Sequence, residues 1–155
     1  MKIPLHLRKA YPGEERLFAY VPVTIRAPRI YGQINALVDT GSPRTVIAPK
    51  DAVKLKVPFK ILPRSAPKDL RIGGVTLPAY SLKGILLGVI DENRTMKRID
   101  MPMINVLNRP QQYKGEINHI PSILGTDFLE DNKLALYFDP YNKIAYLEDT
   151  SIKKE

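Results

Sequence analysis

At 155 residues the chain has room for one domain around one core, and its 24 Lys and Arg against 16 Asp and Glu give it a formal charge of +8. The absence of cysteine excludes a disulfide framework, thiolate zinc sites and a cysteine nucleophile, and two histidines, His6 and His119, are too few for a multi-histidine metal site. The longest apolar stretch, Gly84 to Ile90, is far too short to span a bilayer, and Met1 to His6 lack the apolar run of a signal peptide, so a cytosolic (cytoplasmic) domain with no membrane attachment, no metal and no cofactor is expected.

The hydrophobic periodicity is mostly two, and the 14 prolines argue against long helices. Leu17–Ile25 reads as a strand in which Pro22 marks an edge or a bulge. Ala27-Pro28-Arg29 turns the chain, and Ile30–Val38 returns as a strand whose apolar end, Ala36-Leu37-Val38, enters the core. Thr45–Ala48 is a short strand, followed by a short helix over Pro49–Leu55 with proline in its first turn. Asp69–Tyr80 alternates around Gly73-Gly74, a pair suited to a hairpin tip because glycine accepts positive φ. Ser81–Asp91 and Met96–Leu107 read as two longer strands joined at Glu92–Thr95, and residues 108–120 as a loop. Ser122–Leu124 is a strand opening into a short helix, Thr126–Asn132. Leu134–Asp139 and Lys143–Leu147 form a hairpin over Pro140-Tyr141-Asn142, and the tail from Thr150 to Glu155 is expected to fray. These elements make a single mainly β domain, a small closed barrel with one or two short helices and a core over about residues 17–148.

The charge is uneven. Residues 1–38 carry +4, residues 39–100 carry +6 and residues 101–155 carry −2, and the densest basic stretch, Arg44 to Arg71, holds eight Lys and Arg against Asp51 and Asp69. Such a stretch could attract acidic peptides or nucleic acid, but no nucleic-acid-reading motif accompanies it, and a solvated lysine-rich surface is the favoured reading.

One segment departs from ordinary strand–turn chemistry: Ala36-Leu37-Val38-Asp39-Thr40-Gly41-Ser42. An aspartate directly after three apolar residues sits at the mouth of the core, Gly41 lets backbone approach its carboxylate, and Thr40 offers a hydroxyl beneath it. A carboxylate held in this way is a general-base candidate. The same tripeptide also serves as a plain turn capped by an aspartate side chain, so two readings stand on these residues alone.

Two further segments follow in order: Ile72-Gly73-Gly74 at a hairpin tip, and Ile123-Leu124-Gly125-Thr126-Asp127-Phe128-Leu129 before the closing strands. With Leu37-Val38-Asp39-Thr40-Gly41-Ser42, they make the chain resemble the retropepsin-like (retroviral-type) aspartic proteases, the single-lobed relatives of pepsin, over about residues 17–148. The resemblance implies that Asp39 is the catalytic aspartate and that Thr40, Gly41 and Ser42 form the active-site loop. Thr40 would pair with its copy in a second subunit, and the Gly41 carbonyl would contact substrate. It also implies that Ile72, Gly73 and Gly74 belong to a flap closing over a bound peptide. Ile123, Leu124 and Gly125 would support the active-site loop from behind. Aspartic proteolysis needs two carboxylates sharing a proton. This chain has one Asp-Thr-Gly, since Asp149-Thr150-Ser151 lacks the glycine. An obligate homodimer acting on peptide or protein substrates is therefore expected.

The sequence also departs from the retroviral pattern. Where those enzymes place an interface ion pair, this chain has Pro43, Arg44 and Thr126. Ser42 stands where retroviral enzymes usually carry alanine; donation from its hydroxyl to Asp39 would favour the charged carboxylate and an acidic optimum. Asp127 is expected to cap the helix it opens. The acidic turn of Asp127, Glu130 and Asp131 reads as solvated surface. An aspartic endopeptidase is the leading expectation; a non-catalytic dimerisation or peptide-binding module and, behind it, a basic nucleic-acid-binding barrel are the alternatives.

Overall fold

Alternating apolar residues build the long strands, and their pairing bends them into a closed ring. The structure, a computed structural model, describes residues 1–10, 12–110 and 117–151. In chain order the strands are β1 (Lys2–Pro4), β2 (His6–Lys9), β3 (Leu17–Ala27), β4 (Ile30–Val38), β5 (Val46–Ile47), β6 (Arg64–Ile72), β7 (Val75–Ile90), β8 (Met96–Leu107), β9 (Ser122–Leu124), β10 (Leu134–Asp139) and β11 (Ile144–Asp149), with short helices α1 (Pro49–Lys54) and α2 (Thr126–Asp131). Neighbouring strands run β3-β4-β9-β5-β8-β7, and β7 pairs back onto β3 from Thr24↔Gly88 to Arg26↔Leu86, closing a six-stranded barrel. Val21, Val23 and Ile25 of β3, Ile34 and Ala36 of β4, and Leu87 and Val89 of β7 are buried in one apolar core. The mainly β barrel read from the sequence is the architecture found.

Pro22 lies where one edge of β3 changes partner. That edge is paired with β2 at Leu17–Tyr20 and with β7 at Thr24–Arg26, and the residue lacking an N–H occupies the gap between them. The turn at Pro28-Arg29 places Arg29 at φ 64°, and Gly73 and Gly74 take φ 56° and 80° at the tip between β6 and β7.

Several boundaries differ from expectation. Residues Val75 to Ile90 form one strand where the sequence suggests a break near Tyr80. The break is only in the pattern: Leu77 and Ala79 are buried in a second apolar cluster, whereas Leu82, Ile85, Leu87 and Val89 face the main core. β6 starts at Arg64, ahead of Asp69, with a register shift between them. Two strands precede residue 17, and Ile3 of β1 is fully buried in the core. β1 pairs with β11, which pairs with β10, making a separate three-stranded sheet. Thr150 donates from its N–H and hydroxyl to the Lys133 carbonyl, so the chain is still anchored there; the frayed tail over 152–155 and the loop over 111–116 lie outside the described residues. Within the basic stretch from Arg44 to Arg71, Lys50 and Lys54 lie on α1 whereas Arg64, Lys68 and Arg71 lie on β6. No helix among the described residues is long and apolar enough to cross a membrane.

Candidate active site

Parallel pairing of β4 with β9 sets the site. Ala36, Leu37 and Val38 lie opposite Ser122, Ile123 and Leu124, and Asp39 extends that ladder by one bond, its N–H donating to the Leu124 carbonyl at 3.1 Å. The chain then turns: the Ser42 N–H donates to the Asp39 carbonyl at 3.2 Å, and the Gly41 N–H donates to Asp39 Oδ1 at 2.8 Å. The aspartate side-chain turn is thus formed, and it lies at the mouth of the core with Asp39 half-buried. Thr40 and Gly41 are exposed beside it.

A second layer holds the loop from behind. The Thr126 N–H donates to the Ser42 carbonyl at 2.8 Å. A Cβ on Gly125 would lie 2.7 Å from the backbone of both Ser42 and Arg44, so only glycine fits this approach. Thr45, almost fully buried, joins the parts: its N–H and hydroxyl donate to the Asp127 carboxylate at 3.0 and 2.7 Å, and its Oγ1 accepts the Gly125 N–H at 3.1 Å. Below it, the buried Ser122 hydroxyl donates to Asp51 at 2.6 Å and accepts the Ala48 N–H at 2.9 Å. Among the described residues no buried side-chain polar atom lacks a partner, the condition under which a buried network rigidifies its surroundings.

Two expectations change here. The Ser42 hydroxyl donates to the Arg44 carbonyl at 2.9 Å, so its single proton is not available to Asp39; the donor on Asp39 is the Gly41 N–H, and the acidic optimum loses the reason drawn from Ser42. Asp127 does accept the adjacent Phe128 N–H at 2.7 Å, but Gly125 occupies the cap position without a side-chain bond, and Asp127 chiefly clamps α2 to Thr45.

The expected site residues fall into two groups. Asp39, Gly41, Ser42, Leu124 and Gly125 are joined by hydrogen bonds or direct backbone contact, and Ile123 pairs with Val46 of β5. Ile72 is half-buried in the same apolar cluster as Ile123 and Val46, and the Arg44 guanidinium donates to the Ala66 carbonyl of β6, so the hairpin strand is tied to the segment that follows Asp39. Gly73 and Gly74 stand clear: a Cβ at either would meet no atom within 4 Å. Sequence reasoning passed over Thr45, Ser122 and Asp51. A threonine opening an apolar strand and a serine starting another carry no signal that separates them from ordinary strand residues.

Asp39 and Thr40 line an open groove of about 590 Å³ whose walls are mostly apolar, among them Leu17, Phe18, Leu37 and Leu136. The groove runs on to Phe138 and Tyr141 of the β10–β11 hairpin. β10 is an edge strand with no neighbour on its outer side among the described residues, and Tyr137 and Phe138 on it are 45% and 42% exposed, with Tyr141 at 92%. Among the described residues no three His, Asp or Glu side chains gather as a metal site would require.

No protein-family model matches the sequence, and no curated protein matches it significantly. Solved structures do. A retropepsin-like aspartic protease from Rickettsia conorii is similar with a TM-score of 0.51 and 18% identity, covering 95% of this chain and 88% of that one. The retroviral protease-like domain of Ddi1 from Leishmania major (TM-score 0.48, 12% identity, 87% and 98% covered) and the EIAV protease complexed with the inhibitor HBY-793 (0.41, 20%, 83% and 98%) are also similar. The six-stranded ring, with its parallel β4–β9 pair ending at Asp39, and the near-complete overlap with the Rickettsia structure lead to one conclusion: this chain has the retropepsin-like fold.

Proposed function

We propose that the chain is an aspartic endopeptidase that works as a homodimer, with Asp39 of each copy supplying one of two catalytic carboxylates. The observation that carries this reading is the placement of Asp39: half-buried at the end of β4, one oxygen held by the Gly41 N–H, in the wall of an apolar groove. The protonated member of the pair donates to the scissile carbonyl oxygen while the charged member takes a proton from the attacking water. Two like charges this close cannot both ionise easily, so the pair holds one proton in its working state.

The second carboxylate comes from a second copy, since the chain has one Asp-Thr-Gly. The unpaired β10 edge supports this, because it continues the Asp39 groove and exposes aromatic side chains that a partner would cover. Thr40 faces its counterpart across the two-fold axis. Ile72, Gly73 and Gly74 close over an extended peptide, and the Gly41 carbonyl accepts a hydrogen bond from that peptide's backbone. Ile123, Leu124 and Gly125 hold the loop in place.

The test is cleavage of casein and insulin chains across a pH series, with Asp39→Asn and pepstatin as controls and sedimentation run in parallel. Asp39→Asn is expected to lower turnover by about 10³-fold or more while leaving the dimer intact. Full turnover in Asp39→Asn, or cleavage by a monomer, would overturn the proposal. A dimer that cleaves nothing at any pH would make the fold a binding module here.

A further inference from the structure

Basic residues far apart in sequence meet at a second concavity, of about 360 Å³, which shares no lining residue with the Asp39 groove. Arg8 and Lys9 reach it from β2, and Lys50 and Lys54 from α1, with Asn35 of β4 and His119 also in its wall. Its one carboxylate, Asp51, is turned inward by the Ser122 hydroxyl. With His119 neutral, the four cations and Asp51 leave a formal charge of +3 around a space large enough for a small organic anion.

Arg8 and Lys54 are oriented by contacts that do not neutralise them. The Arg8 guanidinium lies over the Tyr20 ring, 5.1 Å from its centre, and Lys54 Nζ uses one of its three protons on the Gln33 carbonyl at 2.6 Å. The ion pairs among the described residues are Arg64–Asp69 and Lys97–Asp91, neither of which involves this cluster. A single carboxylate would cancel one of the three excess charges, whereas a diphosphate carries about three at neutral pH and offers several acceptor oxygens.

We propose that this pocket binds the diphosphate group of a small organic ligand. Calorimetry at low salt, with pyrophosphate as the probe and orthophosphate and ADP beside it, tests this on the full chain. Pyrophosphate is expected to bind one per chain and at least about tenfold tighter than orthophosphate, with ADP binding no more weakly than pyrophosphate. The double variant Lys9→Gln/Lys50→Gln is expected to weaken pyrophosphate about tenfold or more, and Lys83→Gln, outside the pocket, to leave it unchanged. Equal affinity for the two inorganic anions, no loss in the double variant, or an equal loss in Lys83→Gln would overturn the proposal. Exclusion of ADP would overturn the organic ligand. Tight binding of a generic DNA duplex with none of pyrophosphate would replace the pocket by a nucleic-acid surface.

Discussion

Around Gly125 a single added carbon would lie 2.7 Å from the backbone of Ser42 and Arg44, whereas at Gly73 and Gly74 it would meet no atom within 4 Å. The first glycine is required by what surrounds it; the other two are required by their own positive φ. Beyond the end of β4, Thr45 bonds both Asp127 and Gly125, and the Ser42 carbonyl accepts the Thr126 N–H between them. At the tip between β6 and β7 no described residue lies within 4 Å of where a Cβ of Gly73 or Gly74 would stand, and the restraint comes from further back, at Ile72 and at the bond from Arg44 to Ala66. The proposed proteolysis would call on both behaviours: a carboxylate fixed to within a fraction of an ångström, and a cover free to open and close.

Substitutions sharpen the contrast. Gly125→Ala is expected to cost about 2–3 kcal/mol in urea denaturation, since rigid backbone on two sides leaves the new methyl nowhere to go. Little change in stability would mean the Asp39 loop is looser than its contacts imply. Thr45→Val removes the hydroxyl that serves both Asp127 and the Gly125 N–H and is expected to cost about 1–3 kcal/mol, with Thr45→Ser recovering most of it. Gly73→Ala is expected to cost only about 1 kcal/mol, from the left-handed backbone alone, and its effect should fall on the affinity for peptide more than on global stability. A loss as large as that of Gly125→Ala would erase the distinction between the two regions.

The smallest effect lies at the tip of the β10–β11 hairpin. There the backbone N–H and side-chain amide of Asn142 both donate to Asp139 and hold its carboxyl below the usual value. A lowered folded-state pKa stabilises the fold above the unfolded-state pKa, and that contribution is lost as pH falls through the folded-state value. The stability difference between the protein and Asp139→Ala, measured at pH 7, should therefore shrink by pH 3.

Much of this was legible in the sequence because the local pattern and the final partner agree. Ile30–Val38 alternates because one face is core, Gly73-Gly74 marks a turn in any context, and Asp-Thr-Gly after an apolar strand places a carboxylate at a strand end whatever follows. The rest depended on partners remote in sequence. The role of Ser42 was misjudged because the nearest acceptor in space, the Arg44 carbonyl, is visible only once the loop is folded. The double duty of Thr45 requires α2, more than eighty residues along by the spacing to Asp127. The phase of burial along β7 shifts because one strand serves two apolar clusters, and no strand-level pattern announces that.

The pairing of β1 with β11 has a temporal meaning. Lys2 lies opposite Glu148 and Ile3 opposite Leu147, so a fully buried isoleucine near one end of the sequence has no place to go until residues near the other end arrive. Loop-closure entropy makes such distant pairings slow to form. During synthesis the earlier strand waits, with its apolar side chain uncovered, until β11 has emerged. The three-stranded sheet whose outer edge borders the Asp39 groove cannot close before then, and a chain released before β11 would carry an Asp39 loop without that neighbouring sheet.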